Sequence, residues 1–408
     1  MGEHYDGKET RRPEERERAL FAALPGMIAG LLAAPAWARR LDGVDPAAVT
    51  SPEALAGLPV LRKSELMEAQ RDAPPFGGFV AAPTATLARV FVSPGPVFVP
   101  QGTESDAWGA ARALHAAGVR PGDLAVNTFG YHVTPGAFIL ESGLAALGCP
   151  VFAAGPGRPE EVVPLLAALR PSVYCGVPDF LNILLDRAEA AAADLSSLRA
   201  ALVSGAALPG DLRQRIEARG VHVAQCYATA DLGVIAYESR AREGLIVNED
   251  VILEIVRPGT GDPVAEGEVG EVVVTRLCEG YPLLRFATGD LSAILPGESP
   301  CGRTNRRIRG WMGRADQRTK VKGMFVDPAQ IAEVRRRHPE IVRARLVVSR
   351  ADHVDQMVLM VEAPAAAEAA IGATLKAVTN LSGSVEAVPE GALPNDGKVI
   401  ADERPVEG

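Results

Sequence analysis

The sequence predicts an α/β chain in two parts. A large N-terminal domain covers residues 1–314, with parallel βαβ layers and a β-rich subdomain at about 240–312. A small α+β domain covers residues 315–408. Three observations point there. From residue 104 short apolar runs alternate with amphipathic ones, as strands and crossover helices of a parallel sheet do. After residue 240 the chain turns β-rich, with Gly and Pro at the turns. Its 408 residues also exceed what a single core usually fills.

Taken in order, residues 1 to about 85 read as helical and then loop-rich. The opening "MGEHYDGKETRRPEERERALFAALPG" is charged and has no secretory apolar core. The apolar run "ALFAALPGMIAGLLAAPAWA" is interrupted by Gly26, Gly30 and two prolines. It reads as a core or surface helix, not a membrane span. Residues 104–117 read as a helix, followed by the strand "DLAVNTFG". Four further helix–strand repeats follow, with strands in "CPVFAAG", "PSVYCG", "LRAALVSG" and "VHVAQCY". Ligands of such sheets bind outside the carboxyl ends of the strands. That rule singles out "NTFGYH", "VSGAA" and "QCYATAD". In the small domain, helices are expected at 328–337 and 365–380, and strands at 343–349, 356–362 and 384–388.

Composition narrows the function. The net charge of -9 argues against a nucleic-acid partner, so an anionic substrate needs a local basic pocket. Aromatics make up only 5%, which leaves the core to Ala, Val and Leu. The five cysteines (Cys149, Cys175, Cys226, Cys278 and Cys301) are far apart and form no CxxC. They read as reduced thiols of a cytoplasmic protein.

The stretch "VFVSPGPVFVPQG" at 90–102 stands where a nucleotide-handling chain places a phosphate loop. Ser93 and Gly95 suit such a turn. Pro94 and Pro96 remove two N–H donors, and no Lys follows.

Six motifs stand in order: "NTFGYHVTPG", "LRAALVSGAALP", "QCYATADLGVIAYE", "LLRFATGDL", "CGRTNRRI…GRADQRTKVKGMFVDPAQIAEV" and the terminal "LPNDGK". Together, and over nearly the whole chain, they resemble the phenylacetate–coenzyme A ligase family of acyl-adenylate-forming enzymes. The resemblance implies a large adenylating domain, a mobile C-terminal domain, and activation of a carboxylic acid by ATP and Mg²⁺ to an acyl-AMP. Transfer to coenzyme A as a thioester follows.

The resemblance also implies roles. Asp290 would hold the ribose hydroxyls, since a carboxylate accepts two O–H donors. Arg314 would contact ribose or phosphate. Gln225 and Tyr227 would frame the adenine, beside Thr229. Asp231 would help hold Mg²⁺ where many relatives have Glu; a helix N-cap is its other reading. The backbone of Gly205, Ala206 and Ala207 would pass close to the adenine and acyl groups. Tyr131, His132 and Gly205 would line the acyl pocket, with His132 near the carboxylate. Lys398, freed by Gly397, would meet the charge that develops at the α-phosphate. Asp316 would be the hinge of a domain alternation. Arg318, Lys320 and Lys322 would meet coenzyme A phosphates or form a solvated basic edge. Ser93 and Gly95 are the remnant of the phosphate loop.

Some relatives carry zinc on a set of cysteines and a histidine. Here Ser239, Ile246 and a single Cys301 stand at those places, so no structural zinc is expected. Three readings remain open on sequence alone: a coenzyme A ligase for an aryl or similarly compact acid, an adenylating enzyme with an amine or carrier-protein acceptor, and a non-catalytic binding homologue. The sequence indicates neither a nucleic-acid nor a membrane partner and leaves a homodimer open.

Overall fold

The computed structural model describes residues 3–278, 280–315, 317, 319–321, 324–351, 354–394, 396 and 398–404. The chain divides into two units. The larger comprises Met1–Leu253, Val274–Phe286 and Leu295–Gly310. The smaller comprises Glu254–Val273, Ala287–Ile294 and Trp311–Gly408. The chain therefore passes between them several times.

The larger unit begins with α1 (Pro13–Leu31), α2 (Pro35–Arg40), α3 (Pro52–Ala56), β1 (Leu61–Arg62) and α4 (Lys63–Asp72). A hairpin follows, β2 (Arg89–Ser93) and β3 (Val97–Gln101). Then the alternation expected from sequence is realised. It runs α5 (Ala111–Ala116), β4 (Ala125–Asn127), α6 (Gly136–Leu147), β5 (Val151–Ala153), α7 (Pro159–Leu169) and β6 (Val173–Gly176). It continues through α8 (Pro178–Ala190), β7 (Ala200–Val203), α9 (Gly210–Glu217) and β8 (His222–Thr229). The strands β5, β4, β6, β7 and β8 pair in parallel, in that order. The sheet then turns antiparallel through β9 (Gly233–Glu238), β10 (Leu245–Val247) and, after β11 (Val251–Val256), β12 (Gly270–Arg276), β13 (Leu283–Ser292) and β14 (Ile294–Leu295), through β15 (Arg307–Ile308). The central parallel strands β6 and β7 are buried on both faces, so they read as unbroken apolar runs. Leu181, Leu184, Leu212 and Ile216 from the helices pack on Tyr174, Ala201 and Val223 of the sheet.

One helix is shorter than its sequence suggests. Residues 104–110 form turns, and α5 starts only at Ala111. Asp106 is the cause: its carboxylate accepts from the amides of Ala110 and Ala111, at 2.8 and 3.0 Å. Burial pushes its carboxyl up to about 6.

The charged N-terminus is bound into this unit by buried ion pairs. Glu9 is fully buried; it accepts from Arg303 and from the Tyr237 hydroxyl at 2.8 Å. Arg16 donates to Glu249 at 2.8 Å, both side chains being buried. Arg112 joins Asp6 at 2.7 Å to Asp250 at 2.6 Å. The apolar run forms the core face of α1, with Leu24 and Ile28 fully buried. Among the described residues no helix is long and apolar enough to cross a membrane. None of the five cysteines forms a disulfide.

The smaller unit carries β16 (Thr319–Val321), β17 (Met324–Val326), α10 (Pro328–Arg337), β18 (Ala344–Ala351), β19 (Val354–Glu362), α11 (Glu368–Thr379), β20 (Ser384–Val388) and β21 (Ile400–Asp402). Its four-stranded sheet runs β20-β19-β18-β21, with only the β18–β19 pair antiparallel. Leu346, Val348 and Leu359 of the sheet pack against Ile331 and Val334 of α10 and Ile371 and Leu375 of α11. Pro328 opens α10, and Gln330 reaches back to accept from the Asp327 amide at 3.0 Å.

His115, buried on α5, has its imidazole pushed down to about 4, chiefly by burial and then by the neighbouring Arg120. The folded chain thus binds this proton less readily than the unfolded chain, whose histidine titrates near 6.5. The stability that neutral His115 permits is complete above about 6.5 and is lost as pH falls towards 4. Thermal melts from pH 7 to 4.5 should show His115→Gln gaining on the parent chain as pH drops; a difference independent of pH would refute this assignment.

Candidate functional site

The carboxyl ends of β4, β7 and β8 bring most of the candidate residues of the larger unit together. The loop after β4 holds Phe129, a half-buried Tyr131 and an exposed His132. It is anchored to the hairpin by the Val92 amide, which donates to the Val133 carbonyl at 2.7 Å. Tyr131 meets Phe138 edge-on at 5.4 Å between ring centroids, and Phe138 meets Phe91 at 5.0 Å. Burial, and then the Glu141 carboxylate, raise the Tyr131 hydroxyl above its ordinary value, so it stays a neutral donor. Gly205 follows β7 with φ +76, and a Cβ there would lie 3.4 Å from the Phe129 ring. The turns after β4 and β7 are therefore neighbours. Gly205, Ala206 and Ala207 expose their backbone, as a close-contact segment must.

On β8, Gln225, Tyr227 and Thr229 alternate along the strand and are each half-buried. Val203 pairs with Gln225, which sets the tip of β8 beside the turn after β7. The Thr229 hydroxyl accepts from the Leu232 amide at 3.2 Å, closing the turn from β8 to β9. Asp231 sits in that turn, not at the start of a helix, so its reading as a helix cap falls away.

The Pro-rich stretch is the tip of the β2–β3 hairpin, with Ser93 opposite Val97. Gly95 takes φ +93, a backbone conformation that glycine adopts without strain. Ser93 is buried, and its hydroxyl donates across the turn to the Val97 carbonyl at 3.3 Å. With Pro94 and Pro96 lacking N–H groups, this tip offers few donors to an anion.

The sequence reading missed Lys63. It is the first residue of α4, and its ammonium donates to Asp231 Oδ2 at 2.8 Å. Its Cε lies 3.7 Å from where a Cβ on Gly95 would stand. The Lys63 side chain is 30% exposed and that of Asp231 only 5%. Asp231 Oδ1 is buried with no hydrogen-bond partner among the described residues. Helix α4 is fixed to the hairpin by Gln70, whose side-chain amide pairs both ways with Phe98: Nε2 to its carbonyl at 2.9 Å, Oε1 from its amide at 2.7 Å. Leu66 anchors the same helix, fully buried. A Lys in the first turn opposes the helix dipole by about 0.3–1 kcal/mol, so α4 gains nothing from it as a helix. Only the capping reach of Glu65, which accepts from the Arg62 amide at 2.7 Å, was visible as a local signal at this helix start.

The smaller unit places Asp290, Arg314 and Trp311 together. Asp290 is buried on β13, and its Oδ1 accepts from Arg314 at 2.9 Å and from the Trp311 indole at 3.1 Å. Backbone pairing of Asp290 with Arg314 holds the two in register. Trp311 is 59% exposed, which the sequence reading did not foresee. Lys398 is exposed just before β21; its amide donates to Asp396 at 3.0 Å, and its carbonyl accepts from Arg345 at 3.2 Å. Asp316 lies outside the described residues, as do Gly397, Arg318 and Lys322.

Cys301, the single cysteine at the positions weighed for zinc, stands beside hydroxyls. Ser299 Oγ lies 3.1 Å from Cys301 Sγ, with Ser239 and Arg303 also beside the thiol. Among the described residues no three His, Cys, Asp or Glu side chains cluster as metal ligands.

The AMP-binding enzyme family matches residues 131–278. A phenylacetate–coenzyme A ligase of Thermus thermophilus is 34% identical over 367 residues, covering 86% of this chain and 80% of that protein. One from Aromatoleum evansii is 30% identical and covers 78% of this chain and 74% of its own length. Among solved structures, a 2-hydroxyisobutyryl-CoA ligase in complex with 2-HIB-AMP and CoA superposes with a TM-score of 0.71 at 25% identity, covering 99% of this chain and 93% of that one.

Two outcomes are expected from this geometry. Gln70→Ala strands the Phe98 amide and carbonyl and should cost about 1–3 kcal/mol in urea unfolding; an unchanged midpoint would remove the clamp. Ser93→Ala should alter the apparent affinity for ATP by less than about twofold, because the hydroxyl is already committed to Val97; a larger loss, measured by calorimetric titration, would return Ser93 to the ligand.

Proposed function

Because the chain belongs to the phenylacetate–coenzyme A ligase family, we propose that it activates a compact aryl acid with ATP and passes the acyl group to coenzyme A. The observation that carries this reading is the buried Asp231 carboxylate at the end of β8. One of its oxygens has no partner among the described residues, and it follows Tyr227 and Thr229 in the chain. Such a carboxylate suits Mg²⁺, a hard cation commonly held by one or two carboxylates together with substrate phosphates. Bound there through Asp231, the ion would supply positive charge to the departing pyrophosphate.

In the first half-reaction a carboxylate oxygen of the acid attacks the α-phosphorus of ATP. The bond to the β-phosphate oxygen breaks, and acyl-AMP and pyrophosphate result. We assign the ribose hydroxyls to Asp290, with Arg314 and the Trp311 indole orienting its carboxylate. Gln225 and Tyr227 face the base, and the exposed backbone at Gly205–Ala207 lies against adenine and acyl group. Lys398 stabilises the charge on the α-phosphate as the new bond forms. In the second half-reaction the sulfur of coenzyme A attacks the acyl carbon, the bond to AMP breaks, and the thiol proton is lost. The C-terminal domain, residues 315–408, alternates between the two half-reactions about Asp316.

The aromatic run of Tyr131, Phe138 and Phe91 supports an aryl or similarly flat acid, with His132 near its carboxylate. Five cysteines without a disulfide suit a reducing cytoplasm.

Lys398→Ala should lower acid-dependent pyrophosphate release by about two to three orders of magnitude. Thioester formation from preformed acyl-AMP should be far less affected, since that step does not build charge on the α-phosphate. Equal losses in both half-reactions, measured by rapid quench, would contradict the assignment. A panel of aryl and alkyl acids in the same assay identifies the substrate.

A further inference from the structure

The proposed adenylation leaves one question of charge unanswered: what holds the pyrophosphate end of ATP when the hairpin tip has so few donors. Pro94 and Pro96 contribute no N–H, the Ser93 hydroxyl is bound to Val97, and no Lys follows in the hairpin. The nearest cation shown at the tip comes from elsewhere in the chain. We propose that Lys63 is the phosphate-binding side chain of this site and that Asp231 positions it.

Four features carry this. Lys63 runs along the hairpin tip, its Cε 3.7 Å from the Cβ position of Gly95, where the absence of a side chain keeps the approach open. Its ammonium has three donors, and Asp231 takes one of them at 2.8 Å. The remaining donors can meet phosphate oxygens without Lys63 leaving Asp231. The Lys63 side chain is part exposed while its carboxylate is buried, so the open side of the pair is the lysine. Asp231 Oδ1, buried and without a partner among the described residues, stays available to Mg²⁺. The Gln70 clamp on Phe98 sets the distance, because it fixes the helix that carries Lys63 to the strand that leads from the tip.

This inference rests on the adenylation reading, and the test separates the two. Calorimetric titrations of the full chain with Mg-ATP, Mg-pyrophosphate and AMP would compare the parent with Lys63→Met and Lys63→Arg. Lys63→Met should weaken Mg-ATP and Mg-pyrophosphate about tenfold or more and leave AMP within about twofold, because AMP lacks the β- and γ-phosphates. Lys63→Arg should recover part of the loss. Should Lys63→Met unfold because Asp231 is left uncompensated, the double variant Lys63→Met/Asp231→Asn removes both charges. Set against Asp231→Asn alone, it should show the same selective loss. Equal weakening of AMP and Mg-ATP would make Lys63 a structural residue and overturn the inference, as would undiminished Mg-ATP binding. A parent chain that binds no Mg-ATP would overturn the adenylation reading itself.

Discussion

A buried carboxylate must be compensated, and in this molecule that constraint organises the candidate site. Asp231 lies in the tight turn between β8 and β9 with its side chain almost wholly out of solvent. Leaving such a charge unpaired costs several kcal/mol. The compensating cation comes from residue 63, far back in the chain, and its reach is set by the helix that carries it. Helix α4 in turn is fixed by the paired hydrogen bonds of Gln70 to the β3 backbone. The hairpin is held to the loop after β4 by Val92 and Val133. Removing any of these links would shift the ammonium relative to the carboxylate, so the local geometry is one connected structure.

Much of the fold was legible because its signals are local. Each parallel strand is a short apolar run followed by a turn and an amphipathic helix, and these periodicities need no knowledge of tertiary contacts. The strands at 384–388 and the helix at 328–337 fall where the sequence places them. Helix α5 was overestimated because the side chain of Asp106 competes for the amides that would have continued it backwards. The role of the N-terminus was not legible either. The segment read only as charged, yet Glu9 and Arg16 are buried against partners more than two hundred residues away.

The candidate site divides in the same way. Its strand-end residues could be found because a doubly wound sheet always presents those positions. Ser93, expected in the turn, is instead the last residue of β2, and the direction of its hydroxyl depends on strand register and so is invisible in composition. Lys63 could not be found at all by motif: nothing in "LRKSELM" distinguishes it from a solvated lysine. Only its unfavourable position at the positive end of a helix hints at another purpose, and that hint becomes readable once Asp231 is seen opposite it.

The two units solve a similar electrostatic problem separately. In the larger, buried Asp231 is met by a cation whose own side chain is part exposed; in the smaller, buried Asp290 is met by Arg314, more than half exposed, and by the indole of Trp311. Asp290 is held on a strand and Asp231 in the turn between two strands, while the partner of each keeps a face to solvent. Such a pair can accept a polar ligand with little net desolvation, since the acceptor is already dry and only the donor gives up water. On the proposed assignment a hairpin tip with few amide and hydroxyl donors is tolerable, because the attraction for phosphate comes from a side chain anchored beside it. Pro94 and Pro96 then act as stiffeners: they hold the tip of the hairpin in one shape, and a fixed tip is what a cation reaching along it requires.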